Sequence, residues 1–304
     1  SYMKTHGDAG WEKLPSYLDK VVPRTLEFFG SRGWRITYFV VGQDAALDRN
    51  HDAIASIAAG GHEIGNHSFH HEPWLHLYTD EQITSELERT EDALEAVTGQ
   101  RPIGFRGPGY SMSPLLLMIL VRRGYHYGAS SLPTFIGPLA RMYYFMTAKL
   151  DRAQAEERKI LFGTLGDALR PLDPYRWSGA EGLIEIPVTT MPLLRAPIHF
   201  SYLLYLYRFS KPLAKAYFRM ALAMCEKTGT SPSLLFHPLD FLGKDDVSSL
   251  AFFPAMDLPA AEKIAFLHEV TNDLGDRFRV LSMKEHALAL ETRPLPVNQM
   301  EQPA

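Results

Sequence analysis

Cysteine is nearly absent. Cys225 stands alone in 304 residues, which excludes an internal disulfide and any cysteine-ligated zinc site. A reducing, cytoplasmic compartment is the expectation for such a chain. No apolar run approaches the roughly 18 residues that a membrane-spanning helix needs. The opening SYMKTHGDAG carries no apolar h-region, so no signal peptide is expected. Neither sign of charge dominates: 31 Lys and Arg face 35 Asp and Glu, interspersed, for a net charge of −4. A nucleic-acid partner is therefore not expected. Internal repeats and low-complexity blocks are also missing. What the chain does have is core material, with 46% hydrophobic and 22% charged residues, enough for one large α/β barrel or two ordinary domains.

Along the first half, short apolar runs alternate with amphipathic segments. Residues 16–31 have helical character, RITYFVVG (35–42) reads as a strand, 50–59 as a short helix and HEIGN (62–66) as a second strand. TDEQITSELERTEDALEAVTG (79–99) is the clearest helix: Thr79 offers a cap, Gln82 follows three residues on, and Gly99 stops it. PIGFRGP (102–108) reads as a strand entering a loop, and SPLLLMILVRRG (113–124) as another helix. LIEIPVT (183–189), SLLFHP (233–238) and FRVLS (278–282) continue the series as expected strands. Alternating strands and helices imply parallel βαβ units in an α/β barrel or doubly wound sheet. Residues 291–304 are polar and proline-bearing, and are expected to lack structure.

In such folds chemistry gathers at the carboxyl ends of the strands. His67 and His71 follow the strand at 62–66, Arg106 ends the one at 102–105, and His237 ends the one expected at 233–236. The H-x3-H spacing of His67 and His71 lets two imidazoles converge on one cation. Among twelve histidines, one such spacing also arises by chance in a polar loop. A third ligand is then needed, and Asp8 in the opening loop is the best offer. His70 between them is read as a bystander.

These residues resemble the NodB-type polysaccharide deacetylases. GHEIGN followed by His67-Ser68-Phe69-His70-His71 is similar to their second motif, FRGPG (105–109) to their R-x-P motif, and LLFHP (234–238) to their late strand ending in a catalytic histidine. EIPV (185–188) resembles a segment of their shorter relatives. The resemblance implies a distorted (β/α) barrel of about seven strands, one catalytic domain over 1–290 with an aromatic-rich insertion around 191–218. It implies hydrolysis of an N-acyl group, acetyl or formyl, from an amino sugar. One divalent metal would be held by Asp8, His67 and His71. Zinc is the favoured ion, and cobalt, nickel or iron suit the same donors. His237 would be the acid, with Asp240 free either to orient it or to sit in solvent. Gly109 or Tyr110 would supply an oxyanion donor, and Trp74 and Tyr110 would line the groove. Family members carry two aspartates in their first motif, the base and the ligand. THGDAG (5–10) offers Asp8 but places His6 where the base belongs, and Arg106 matches the arginine that holds that base. Three readings follow: an altered or shortened N-terminus, a working His6 base, or a relative that binds glycan or glycolipid without catalysing. Hydrolysis of a small non-sugar amide is a further alternative.

The segments 135–150 and 191–218 mix leucine and tyrosine with Arg195, Arg208, Lys211 and Lys215. Core helices or a dimer face account for this pattern. So does a peripheral surface at the inner membrane, with apolar side chains among headgroups and cations on anionic lipid. The second reading suits a glycolipid substrate, as for the short family members that deformylate a polyprenyl-linked amino sugar.

Overall fold

The computed structural model describes residues 16–135, 166–250, 253 and 255–299. Within them the chain builds a seven-stranded sheet in the order β1-β2-β3-β4-β6-β5-β7. The strands are β1 (Thr37–Val40), β2 (Glu63–Asn66), β3 (Gly104–Phe105), β4 (Tyr127–Gly128), β5 (Tyr175–Trp177), β6 (Ala180–Glu185) and β7 (Val297–Asn298). From β1 through β4 to β6 every pairing is parallel; β5 then runs antiparallel to β6 and carries β7 at its far side. The architecture is the expected α/β class, a distorted (β/α) barrel. The distortion lies in the antiparallel β5 and the two-residue strands.

The helices are α1 (Leu18–Gly30), α2 (His51–Ala59), α3 (Asp80–Thr98), α4 (Pro114–Arg122), α5 (Phe200–Tyr207), α6 (Lys211–Thr228), α7 (Ala260–Gly275) and α8 (Met283–Leu290). The α3 boundary follows from its chemistry. Thr79 and Gln82 exchange side-chain and backbone hydrogen bonds in a capping box, and Gly99 closes the helix in the left-handed region at φ 65°. The main core packs α1, α5, α6 and α7 together through Phe29, Phe200, Phe218, Phe241 and Phe266, all at most 2% exposed. Each such phenylalanine contributes about 1.5–3 kcal/mol by leaving water.

Three expectations are corrected here. The segments 233–238 and 278–282 form no strand. Residues 233–236 run beside the sheet with isolated contacts: Thr189 N–H donates to Ser233 O and Phe200 N–H to Leu235 O. Their apolar side chains pack instead, Phe236 against Phe29, Phe200 and Phe241. The tail expected to lack structure contributes β7, because Arg176 N–H donates to Pro296 O and Ser178 N–H to Asn298 O. Such edge pairing uses backbone alone and needs no apolar side chains.

Parallel pairing matters for function because it lines up the carboxyl ends. Asn66, the last residue of β2, sits opposite Phe105, the last of β3. His67 and Arg106 therefore leave the sheet side by side.

Candidate active site

The loop after β2 is held in a shape that few sequences adopt freely. Ser68 and His71 both lie in the left-handed region, at φ 57° and 58°, where a side chain costs of order 1–3 kcal/mol unless the surroundings enforce it. The enforcement is visible. Ser68 N–H donates to Asn66 Oδ1 at 2.8 Å and His71 N–H to Ser68 Oγ at 3.1 Å. Phe69 and His70 N–H both donate to Glu86 Oε2 of α3 at 2.9 Å. Glu86 is buried and also meets His70 Nδ1, which occupies the middle histidine with the scaffold.

This loop aims His67 and His71 at one another. Their Nε2 atoms are 3.1 Å apart and their rings nearly perpendicular at 80°. His67 Nδ1 lies 2.6 Å from the Arg106 carbonyl. A carbonyl only accepts, so Nδ1 carries the hydrogen and Nε2 presents a lone pair, as a ligating imidazole does. Two nitrogens on one tetrahedral zinc would stand roughly 3.3–3.4 Å apart, so the pair fits two positions of such an ion. Burial, reinforced by the charges of Arg106 and His237, pushes the His67 pKa down to about 4. It is neutral at pH 7, as a ligand must be. Among the described residues no cluster of three or more histidine, cysteine, aspartate or glutamate side chains forms a complete site. His6 and Asp8, expected as base and third ligand, lie outside the described residues.

Arg106 donates from Nε to Ala129 O at 2.9 Å, and its guanidinium lies 4.5 Å from the centre of the Phe39 ring. Burial lowers its pKa from the ordinary value, while Tyr110, Tyr127 and Glu185 oppose that. Among the described residues it has no ion pair with a carboxylate. The next turn, Pro108–Tyr110, is tight. Gly109 sits at φ 57°, and a Cβ there would come within 2.8 Å of Pro73 Cβ, so glycine is required. Tyr110, also left-handed at φ 62°, donates its N–H to Gly107 O at 3.1 Å. That amide is engaged in the turn. Trp74 is half-buried and opens the short turn Leu75–Leu77.

His237 reaches the same region from the far side of the chain, since its charge bears on His67. It precedes the turn Pro238–Phe241 and is exposed, whereas Asp240 is buried. Asp240 Oδ2 accepts the His237 backbone N–H at 2.8 Å. Burial raises the Asp240 pKa, while His237, Ser201 and Lys263 draw it back down. Three residues here escaped the sequence reading. Ser201, on α5, contacts both His237 and Asp240. His199, read as structural, has its ring 6.3 Å from that of His237 and its pKa pushed by burial, then by His237, to about 3. Lys263 donates to Leu239 O and Leu242 O at 3.0 and 2.8 Å, clamping the His237 turn. No sequence motif links these residues; only the fold does.

In the 191–218 segment, α5 and α6 turn Phe200, Leu203, Leu204, Ala214 and Phe218 inward. Leu193, Leu194, Phe209 and Leu213 remain more than half exposed, at 80, 59, 71 and 55%. The cations expected to meet anionic lipid are already engaged. Arg208 pairs with Asp257, Lys211 and Lys215 share Glu269, and Arg195 donates to Arg170 O. Residues 136–150 lie outside the described residues. Among the described residues no helix is long and apolar enough to cross a membrane.

Comparison with known proteins bears on the family and the fold. The polysaccharide deacetylase family model matches residues 8–128. A chitin deacetylase of Pestalotiopsis sp is 31% identical over 102 residues, 33% of this chain and 34% of that protein. The peptidoglycan-N-acetylmuramic acid deacetylase PdaA of Bacillus subtilis is 31% identical over 110 residues, 36% of this chain and 41% of that protein. The chain thus matches between a third and a half of the length of these relatives. A solved structure from Mycobacterium smegmatis, assigned to the polysaccharide deacetylases, superposes over 93% of this chain and 81% of its own, with a TM-score of 0.61 at 21% identity. That likeness carries the fold.

Proposed function

We propose, from the premise that residues 8–128 belong to the polysaccharide deacetylase family, that this chain hydrolyses the N-acyl group of an amino sugar. The observation that carries the proposal is the His67–His71 pair, Nε2 to Nε2 at 3.1 Å, at the sheet end that His237 also reaches. His67, His71 and Asp8 would hold one divalent metal, zinc before cobalt, nickel or iron. The metal would supply Lewis-acid polarisation of the acyl carbonyl and activation of water. The chain's own residues do the rest. The Gly109 N–H would serve the developing oxyanion, since the Tyr110 N–H is held by Gly107 O. Water adds to the acyl carbon as its proton passes to the base at position 6, the C–N bond breaks, and the leaving amine takes a proton from His237. Trp74 and Tyr110 flank the sugar, and Arg106 would pair with a carboxylate at position 6, as the His6→Asp variant supplies.

The test is amine release from N-acetyl and N-formyl glycans and glycolipids, by the native chain and by His6→Asp, with and without zinc. Activity in either, abolished by His67→Ala together with loss of zinc binding, supports the proposal. No release by either refutes it. A second reading, a glycan-binding protein without turnover, is favoured by His6 at the base position. Substrate affinity without amine release distinguishes it.

A lipid-linked sugar is the finer proposal. Its support is the exposed group of Leu193, Leu194, Phe209 and Leu213. With Arg208, Lys211 and Lys215 engaged by acids, apolar insertion carries the contact. Vesicle sedimentation should therefore change little between low and high salt. Absence of binding at any lipid composition refutes it.

A further inference from the structure

We infer that Ser201 is a positioning residue for His237: its hydroxyl links the imidazole to the buried Asp240 carboxylate and fixes which ring nitrogen is free to pass a proton. Ser201 Oγ is 2.7 Å from Asp240 Oδ1 and 2.9 Å from His237 Nδ1. An ionised carboxylate can only accept, and a hydroxyl has one proton to give. That proton goes to Asp240, so Ser201 Oγ accepts from His237, and the ring hydrogen sits on Nδ1. Nε2 is then the nitrogen that meets the substrate. The second carboxylate oxygen accepts the backbone N–H of His237 at 2.8 Å. Both oxygens of a side chain only 3% exposed therefore serve one residue, one directly and one through the serine.

A packing role for Ser201 would not require this order of donors. It occupies the second position of α5, whose first residue, Phe200, is fully buried, so the helix supplies rigidity to the hydroxyl. Lys263 sits behind Asp240 and clamps two carbonyls of the same turn. The other titratable groups around His237 are His67 and His199, both sensing its charge and both kept neutral by burial at pH 7. Negative charge thus reaches His237 from Asp240 alone among these neighbours, partly by way of the serine. The link holds the neutral ring in a single tautomer, with Nε2 free for proton transfer to the leaving amine.

The inference rests on His237 being the acid for the leaving amine, and the test separates the two. Histidine side-chain 15N–1H correlation NMR over a pH series reads the ring directly, with His237→Asn giving the assignment. The native chain and Ser201→Thr should show neutral His237 with hydrogen on Nδ1. Ser201→Ala should lose that preference, because the oxygen that accepts from Nδ1 is gone. Asp240→Asn should reverse the chain of donors. Its oxygen keeps the backbone N–H, its amide donates to Ser201, Ser201 donates to Nδ1, and the hydrogen moves to Nε2. In amine release, Ser201→Ala should lower kcat at least tenfold with KM little changed, and Ser201→Thr should restore it. A native His237 with hydrogen on Nε2 overturns the inference and needs no variant to fold. An unchanged tautomer in Ser201→Ala overturns it as well. If instead His237→Asn releases amine at the native rate while the tautomer pattern stands, the functional reading fails and the serine link survives.

Discussion

Replacing Glu86 with alanine should dismantle the histidine loop from behind. Glu86 is 5% exposed, and one of its oxygens accepts both the Phe69 and the His70 backbone N–H at 2.9 Å. Hydrogen bonds to a charged acceptor contribute about 1.5–3 kcal/mol each. With both lost, and two amides left in a site that water enters only in part, the expected destabilisation is about 3–5 kcal/mol. The loop also carries left-handed Ser68 and His71. Strain of that kind persists only where the surroundings over-determine it, so the freed loop relaxes and the 3.1 Å approach of the two Nε2 atoms is lost. Outer supports of a metal site typically matter by about 10–100-fold in affinity. Urea denaturation at pH 7 measures the first effect and zinc titration calorimetry the second. A loss below about 1 kcal/mol would refute the structural reasoning even if no metal binds. Unchanged zinc affinity in a destabilised variant would refute the link between the loop and the ligands.

Gly109→Ala should cost about 1–3 kcal/mol, since φ is 57° and the new Cβ would meet Pro73 Cβ at 2.8 Å; an unshifted thermal midpoint contradicts this. Stability should also fall as pH drops from about 6.5 toward 4. His67 and His199 have folded pKa values of about 4 and about 3, against about 6.5 when unfolded. Across that window the unfolded chain binds protons that the folded chain does not, so acid favours unfolding. Urea midpoints between pH 7 and 4.5 check the sign, and a flat profile with no flattening effect of His199→Asn refutes it.

Where the sequence spoke clearly, one residue type at one place had a local consequence. Thr79, Gln82 and Gly99 set the ends of α3 by bonds within a turn or two of themselves. The misreadings all concern pairing that side chains do not encode. Leu234, Leu235 and Phe236 make an apolar run as a buried strand would, yet Leu234 and Phe236 pack against the aromatic core and the run joins no ladder. The strands Tyr127–Gly128 and Val297–Asn298 have two residues each, too short for any alternation to show, and the second lies among polar residues and prolines. Tyr175–Trp177 follows Asp173-Pro174 and precedes a glycine turn, signals that read as loop.

The site divides in the same way. His67 and His71 sit on one loop, so their spacing carried meaning before any fold was known. What tunes them comes from distant segments, Glu86 from α3 and the Arg106 carbonyl from the end of β3, and His237 likewise takes Ser201 from α5. Partners brought together by tertiary packing leave no spacing to read, and counting cations misleads for the same reason. Arg208, Lys211 and Lys215 look like a basic patch in the sequence, but Asp257 and Glu269 reach them from beyond the His237 turn. Among the described residues the apolar side chains beside them stay uncovered, with Leu193 and Phe209 exposed at 80 and 71%. The proposed contact with a lipid-linked sugar would therefore be hydrophobic first, with charge in a minor part. The opposite ranking would have followed from composition alone.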